Sequence, residues 1–407
     1  MKTLCLFTNE FPYGNWEPYL ETEVKYYRCF DKVYIFALQL RKDHAKTIRT
    51  VPDNIKVIPI AYAPKWKYLL NAFRVLFNSH LYQEIKQLLQ QKRLNFARLI
   101  NLFVFLSRAD YEARQISKHI TKEAIYNAIF YSYRFEYQPY VAILLNQKYG
   151  LNNKIICRTH GFDLYEERRP STYIPCRQIL LQNVDYVYPC SQDGEHYLQE
   201  KFPFFKEKVH ASFLGTEDYG IGLEPNRQAF SIVSCSNLVP VKRIDLLIEA
   251  LKLITNKPIR WVHFGDGPLL SSIQQSIKNL PENIQVELKG HIKNSELMKI
   301  YRQHAFDVFV NVSNSEGIPV SIMEANSFGI PAIATNVGGT AELVKTGTNG
   351  ILIDVNATPQ NIAQEILRIL ALPASDYTSL RKSTRAHWLK HFSAEVNYQK
   401  FVKAIQS

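Results

Sequence analysis

Short apolar runs alternate with longer amphipathic stretches along nearly the whole chain. The runs of the first half are TLCLFT, KVYIFAL, IKVIPI, AIFYSY, KIICRT and VDYVYPC. Those of the second half are FSIVSCS, IRWVHFG, IQVELKG, FDVFVNV, PAIAT and GILID. They are close to continuous in Val, Ile, Leu, Phe and Tyr, the signature of strands buried on both faces. Between them EPYLETEVKYYRCF, RIDLLIEALKLI, SELMKIYRQ and PQNIAQEILRILAL carry the helical period. Strand–helix alternation of this kind predicts an α/β protein with doubly wound parallel sheets. The alternation restarts near Phe230, after the Gly-, Pro- and charge-rich stretch FLGTEDYGIGLEPNRQ, which reads as a linker. Two doubly wound domains are therefore expected, residues 1–213 and 214–390. A last helix within 391–407 (SAEVNYQKFVKAIQS) could dock back on the first domain. A length of 407 residues suits two such cores.

Charge adds an asymmetry. The net charge is +12, and residues 65–122 alone hold 11 Lys and Arg against 3 Asp and Glu, a local excess of 8. That segment interleaves its bases with Trp66, Tyr68, Phe73, Phe77, Phe96 and Phe103. Basic amphipathic helices of this type suit an anionic membrane surface or another polyanion. Ordinary helices with solvated basic faces would give the same pattern, and both readings stand. Nucleic acid is disfavoured, because no recognised binding module accompanies the charge. The six cysteines are scattered with no C-x-x-C pair, so reduced, packed thiols are expected rather than a zinc site. The opening MKTLCLFTNEFPYG does not read as a secretory signal, and no run of about 18 apolar residues suits a spanning helix. The expected location is the cytoplasm, with peripheral attachment to the inner face of the membrane if the basic helices bind lipid.

The chemistry gathers in strand-to-helix loops, where open α/β sheets bind ligands. SNSEGIPVSIMEANSFGIPA, residues 313–332, follows the strand FDVFVNV and opens a helix. Pro319 suits a first helical turn. Glu316 then precedes the helix and Glu324 lies more than a turn inside it. The amides near Gly317, Ile318 and Val320 form a positive helix start, an anion site. Two carboxylates beside an anion site are consistent with one ligand carrying both phosphate and hydroxyls, since an ionised carboxylate can accept both donors of a vicinal diol. A nucleotide sugar has both. Taken singly, each Glu would more simply support a turn or pair with a base. SIVSCSNLVPVKRIDLLIEAL places Lys242 and Arg243 at a helix start, against its dipole, where a bound phosphate would offset the penalty; two solvated surface bases are the plainer reading. FGDGPL lacks the third Gly of a dinucleotide fingerprint, position 270 being Leu, so a dehydrogenase is disfavoured. Gly265 there could let the backbone turn closely beside a nucleotide. HGFDLYEE places His160 and Asp163 in a strand-end loop, where His160 either meets a ligand or is a hydrogen-bonded wall residue. NEFPYGNWEPY offers Gly14 and Asn15. No D-x-D triplet is present, so no carboxylate site for a divalent metal is expected.

Taken together, EGIPVSIME, SFGIPAIATNVGGTAELV, HGFDLYEE, VDYVYPCSQDGEHYL, LVPVKRIDLLIEAL, FGDGPL and LKGHIKNSELMKIY resemble, in order, the retaining family 4 glycosyltransferases of bacterial surface-polysaccharide type. EGIPVSIME matches their E-x7-E motif. The resemblance runs from about Lys154 onward and fades over residues 60–150. It implies a GT-B fold, two Rossmann-like domains facing a central cleft, with acceptor bound by the first and donor by the second. It implies metal-independent transfer, without cofactor, from a nucleotide-diphosphate sugar, by family habit UDP-linked, to a hydroxyl of a saccharide or lipid-linked saccharide. Carried over position by position, Glu324 would accept the ribose hydroxyls, and Glu316 with the amides of Gly317, Ile318 and Val320 would hold the sugar. Lys242 would neutralise the departing diphosphate. His291 and Ile292 would meet the base through backbone groups, Gly14 would line the phosphates, and His160 would approach the sugar. The family usually has Arg where this chain has Asn237; Arg243 could supply the missing cation. The rival class is a non-catalytic glycosyltransferase-like subunit that binds and stabilises a partner.

Overall fold

The computed structural model describes residues 2–226 and 229–406, apart from the side chains of Lys65 and Leu69. The last two residues of the expected linker, 227 and 228, lie outside the described residues. The chain divides into two compact units, residues 1–213 with 398–407, and residues 214–397.

The first unit holds a six-stranded parallel sheet of β1 (Thr3–Thr8), β2 (Lys32–Leu40), β3 (Ile55–Ala61), β4 (Ile129–Ser132), β5 (Ile155–Thr159) and β6 (Tyr186–Pro189), in the order β3-β2-β1-β4-β5-β6. All six follow the apolar runs of the sequence. Successive side chains of a strand point to opposite faces, and here both faces are covered. Cys5 and Phe7 enter one core with Phe36, Phe130 and Ile58, whereas Leu4 and Leu6 enter the other with Leu20, Tyr27 and Ile35. The crossover from β3 to β4 carries three helices, α1 (Lys65–Val75), α2 (Ser79–Gln90) and α3 (Phe96–Glu123). A further helix, α4 (Gln138–Tyr149), follows β4.

One element departs from the sequence pattern. EPYLETEVKYYRCF gives a single α-turn, Leu20–Glu23, and then a 3-10 turn, Val24–Cys29. The tighter winding superposes residues three apart, which brings Val24, Tyr27 and the following Phe30 into the core together.

The second unit repeats the plan with β7 (Phe230–Cys235), β8 (Ile259–Phe264), β9 (Ile284–Leu288), β10 (Val308–Asn311), β11 (Ala332–Thr335) and β12 (Gly350–Ile353), in the order β12-β11-β10-β7-β8-β9, again all parallel. Its helices include α5 (Ile244–Lys252), α6 (Asn294–Gln303), α7 (Val320–Ser327) and α8 (Ala374–His391). The strand order reverses between β7 and β10, which makes the carboxyl ends of those two strands the topological switch point. The last helix, α9 (Ala394–Gln406), starts in the second unit and ends in the first. There Phe401 lies 4.2 Å beneath the guanidinium of the fully buried Arg158, and Tyr398 packs 5.6 Å from Tyr26.

Candidate nucleotide-sugar site

In the second unit the loops after β7, β8 and β9 are laced together by their backbones. Ser236 N–H donates to Phe264 O (3.0 Å), Leu238 N–H to Asp266 O (3.0 Å) and Gly265 N–H to Gly290 O (2.8 Å). Two glycines make this approach feasible. Gly265 has φ +136°, and a Cβ there would sit 1.9 Å from Ser236 O. A Cβ on Gly267 would lie 2.6 Å from Leu238 O. The close neighbour of Gly265 is thus the β7 loop, and its amide is already taken by Gly290. Asn237, on that same loop, is exposed.

The β10 loop is fixed at both ends. Pro319 stands one residue before α7 rather than inside its first turn, with φ −77° and ψ 94°. The amides that open α7 have no carbonyl one turn behind them, as at any helix start. Glu316 is buried and accepts from Lys242 Nζ at 2.5 Å and from Asn311 Nδ2 at 3.2 Å. Asn311, the last residue of β10, also accepts from Ser313 N–H (3.0 Å). On the other side, Gly338 has φ +50°, and a Cβ there would fall 2.0 Å from Glu316 O. Gly339 N–H donates to Gly317 O (2.8 Å), and the Thr335 hydroxyl donates to Ser313 O. The glycine pair after β11 therefore seats the backbone that presents Glu316.

Arg243 has a different place from the one the sequence suggested. It stands before α5 with φ +48°. Its Nε donates to Val312 O (2.6 Å), Nη1 to Val355 O (2.7 Å) and Nη2 to Ser313 O (3.4 Å). The guanidinium is spent on three carbonyls and braces the β10 loop, so it is not a substitute for the cation absent at Asn237. Lys242, its neighbour, points instead to Glu316.

Glu324 lies in α7 beside the start of α6. It accepts from Asn294 Nδ2 at 2.6 Å. Burial pushes its carboxyl up to about 7, and the Asn294 bond only partly opposes this. Burial, with a contribution from Glu324, pushes the Cys235 thiol up to about 12. The Tyr301 hydroxyl is buried in the same neighbourhood without a hydrogen-bond partner. After β9, Gly290 has φ +66°, His291 is exposed and Ile292 half-buried. Thus Lys242, Glu316, Glu324, Gly317, Ile318 and Val320 sit on loops that flank the β7–β10 switch point. Sequence reasoning missed Asn311, Asn294, Gly338 and the bracing function of Arg243. The signals were an Asn five residues before Glu316 and the Gly-Gly of NVGGT.

Gly14 and His160 belong to the first unit. Gly14 has φ +57°, and its amide donates to Thr47 O (3.1 Å). That donor is therefore committed within its own loop, which the phosphate reading of Gly14 had left open. His160 follows β5. Its ring lies 4.6 Å from that of Tyr133, and both ring nitrogens are buried without a hydrogen-bond partner. Burial, reinforced by Arg134 and Arg158, holds its pKa well below the usual value, so the imidazole is neutral. Its backbone N–H donates to Asp163 Oδ1 (3.0 Å), and Asp163 Oδ2 accepts from Phe135 N–H (2.8 Å). Buried polar atoms are nearly always paired, so this imidazole, whose Nδ1 stands 3.8 Å from Asp163 Oδ1, is an exception to that rule. Glu17, not foreseen, has φ +55° and puts its carboxylate on the amides of Asn9, Glu10 and Phe11 at 2.9–3.1 Å. Among the described residues, no three His, Cys, Asp or Glu side chains form a metal-binding group.

Comparison with known proteins bears on the family and the fold. Residues 222–387 match the model of the glycosyl transferases group 1 family. A putative colanic acid biosynthesis glycosyltransferase, WcaL, of Escherichia coli K12 is 26% identical over 268 residues, 63% of this chain and 65% of that protein. The GtfA subunit of a UDP-N-acetylglucosamine–peptide N-acetylglucosaminyltransferase of Streptococcus pneumoniae is 30% identical over 177 residues, 42% of this chain and 34% of that protein. The chain thus spans between about a third and just under two thirds of the length of these relatives. The crystal structure of Anabaena Alr3699/HepE in complex with UDP superposes over 100% of both chains with a TM-score of 0.69 at 16% identity, which establishes the shared fold. With the E-x7-E phrase seated at the switch point of the second of two parallel six-stranded sheets, residues 222–387 match the group 1 glycosyltransferases, and the chain has the GT-B fold.

Proposed function

We propose that this protein transfers a sugar from a UDP-sugar to an acceptor hydroxyl, with retention of anomeric configuration and without a metal ion. One observation carries the proposal: a single β10–α7 phrase holds Glu316 against Lys242 at one end and presents Glu324 at the other. A nucleotide sugar has an anion between two sets of hydroxyls, which matches a cation and helix amides between two carboxylates. The UDP assignment is supported by the UDP bound to the structural neighbour and by the UDP-sugar named for the streptococcal relative.

In this reading Glu324 accepts the two ribose hydroxyls, and Asn294 fixes the carboxylate that does so. Glu316 accepts hydroxyls of the transferred sugar. As the bond from the anomeric carbon to the diphosphate breaks, negative charge grows on the departing oxygen. Lys242 and the amides at the start of α7 lie ready for that charge, which is the arrangement that lowers such barriers. The acceptor oxygen attacks from the same face, and the departing diphosphate oxygen takes its proton. His160, held neutral, can donate to a sugar hydroxyl without adding charge. The acceptor is a saccharide or lipid-linked saccharide, and segment 65–122 would hold the protein at the inner face of a membrane.

The test is calorimetry with UDP, followed by mass spectrometry of nucleotide released from a panel of UDP-sugars. UDP binding with release from one sugar donor is expected, lost in K242A and E324A. Full turnover by both variants would refute the assignment. Binding without release from any donor would favour the accessory-subunit class.

A further inference from the structure

Two of the helices between β3 and β4 keep apolar residues in water. A surface helix normally buries its apolar stripe and solvates its polar one. In α1, Asn71 and Val75 are buried, and Asn71 faces α3, where its Nδ2 donates to Ser107 O (2.7 Å) and Asp110 Oδ2 (3.0 Å) and its Oδ1 accepts from Arg114. Outward stand Trp66, Leu70, Phe73 and, just past the helix, Phe77, at spacings of four, three and four residues. Phe73 is 69% and Phe77 91% exposed. On α3 a second stripe, Phe96, Ile100 and Val104, is exposed at spacings of four. The two helices run antiparallel, with Tyr68 on Tyr111 (5.4 Å) and Asn71 on Ser107. That register sets Phe73 level with Val104 and Phe77 level with Ile100. Eleven of the twenty-three large apolar side chains exposed among the described residues fall between Tyr62 and Val104.

The charge around these stripes has one sign. Between Asn54 and Ala109 the only carboxylate is Glu84. It is buried and accepts from the Tyr173 hydroxyl (2.8 Å) and Cys176 N–H (3.1 Å). Lys67, Arg74, Lys86 and Lys92 are exposed in the same stretch. Aromatic side chains facing out of two adjacent helices, rimmed by bases and free of exposed acids, have the chemistry of a surface that lies in a bilayer interface.

We propose that the outward face of α1 and α3, built on Trp66, Leu70, Phe73, Phe77, Phe96 and Ile100, docks on an anionic lipid surface. The inference names the partner of segment 65–122 within the proposed function. Vesicle binding is read without sugar transfer, so its failure and the failure of the transferase reading are separate results.

The test uses the full chain and sedimentation with vesicles of phosphatidylglycerol and phosphatidylcholine in equal parts, or of phosphatidylcholine alone. The wild type should pellet with the anionic vesicles, less so at high salt, and not with the neutral ones. Each base near an anionic surface is worth about fivefold in binding, so K67Q/K86Q/K92Q should weaken it on the order of 100-fold. F73S/F77S should abolish it while leaving UDP binding by calorimetry intact, which shows that the variant is folded. Equal binding to both vesicle types, or unchanged binding by F73S/F77S, would overturn the proposal. So would a wild-type dimer in sedimentation velocity that F73S/F77S converts to monomer without affecting vesicle binding, since the face would then be a contact between two copies.

Discussion

The two units wind six parallel strands in the same spatial order, yet they use the same topological position differently. In each, the strand order turns back on itself between the first and fourth strands of the unit. In the second unit the crossover from its third to its fourth strand is the single helix α6, whose first residue, Asn294, grips Glu324. In the first unit the same crossover carries α1, α2 and α3, and these hold the exposed aromatic stripes. One crossover serves a site at the end of its own sheet. The other faces outward. Under the proposed function, nucleotide-sugar chemistry would constrain the first kind of crossover and the docking partner the second, in keeping with a family match that begins at residue 222.

The hardest test of this contrast is at Lys242. K242A removes the ammonium that donates to Glu316 at 2.5 Å and should reduce turnover by about 10²–10³-fold, as loss of a preorganised charge partner does. Nucleotide release from the identified UDP-sugar measures it. A loss below tenfold would mean that the second unit's site does not work through this pair.

Next is Arg243. Removing its guanidinium takes the side-chain donor from the carbonyls of Val312 and Val355, while Ser313 O keeps the Thr335 hydroxyl, at about 1–3 kcal/mol for a buried group left unsatisfied. R243M should therefore lower the Tm of thermal unfolding. R243K separates two functions. Lysine keeps the charge but not the planar fork, so it should leave the Tm low if Arg243 is a brace. Full recovery of both Tm and transfer by R243K would return Arg243 to the phosphate.

Much of this was legible in the sequence, and the exceptions share a cause. All twelve strands were visible because strands covered on both faces are written as continuous apolar runs. Glu316 and Glu324 were visible because a loop, a proline and a helix start fix their relation within nine residues. Arg243 was misplaced because its acceptors lie 69 to 112 residues away. Asn294 lies 30 residues from Glu324, and the demand on Gly338 comes from the carbonyl of Glu316. Pairings at such range leave no local period. The exposed apolar stripe of α1 was hidden for another reason. A helical period states that two faces differ but not which one points inward.

Glu324 gives a smaller effect with a definite sign. Its carboxyl is pushed up to about 7, above the ordinary Glu value, so the folded protein holds this proton more tightly than the unfolded chain. Ionising it costs stability as pH rises from the ordinary Glu range towards 7. Ribose binding needs the ionised, accept-only form. UDP affinity should therefore rise with pH up to about 7 in the wild type. E324Q cannot titrate and serves as the reference for the ionisation of UDP itself. Parallel pH profiles for the two proteins would show that Glu324 does not grip the ribose.

The smallest expected effect bears most directly on the comparison. Phe73 and Phe77 touch water over most of their surface, so they contribute little burial to the fold. F73S/F77S should change unfolding stability by no more than about 0.5 kcal/mol, the usual range for surface substitutions. The matching change in the second unit, V310S/I333S, removes two side chains from the buried core and should cost several kcal/mol, on the scale of large-to-small core changes at about 2–5 kcal/mol each. Urea unfolding of both variants, with the midpoint compared at constant slope, makes the measurement. If F73S/F77S proved as damaging as the core pair, the aromatic stripes of the first unit would be part of its packing rather than a face kept free for docking, and the two crossovers would differ in length but not in purpose.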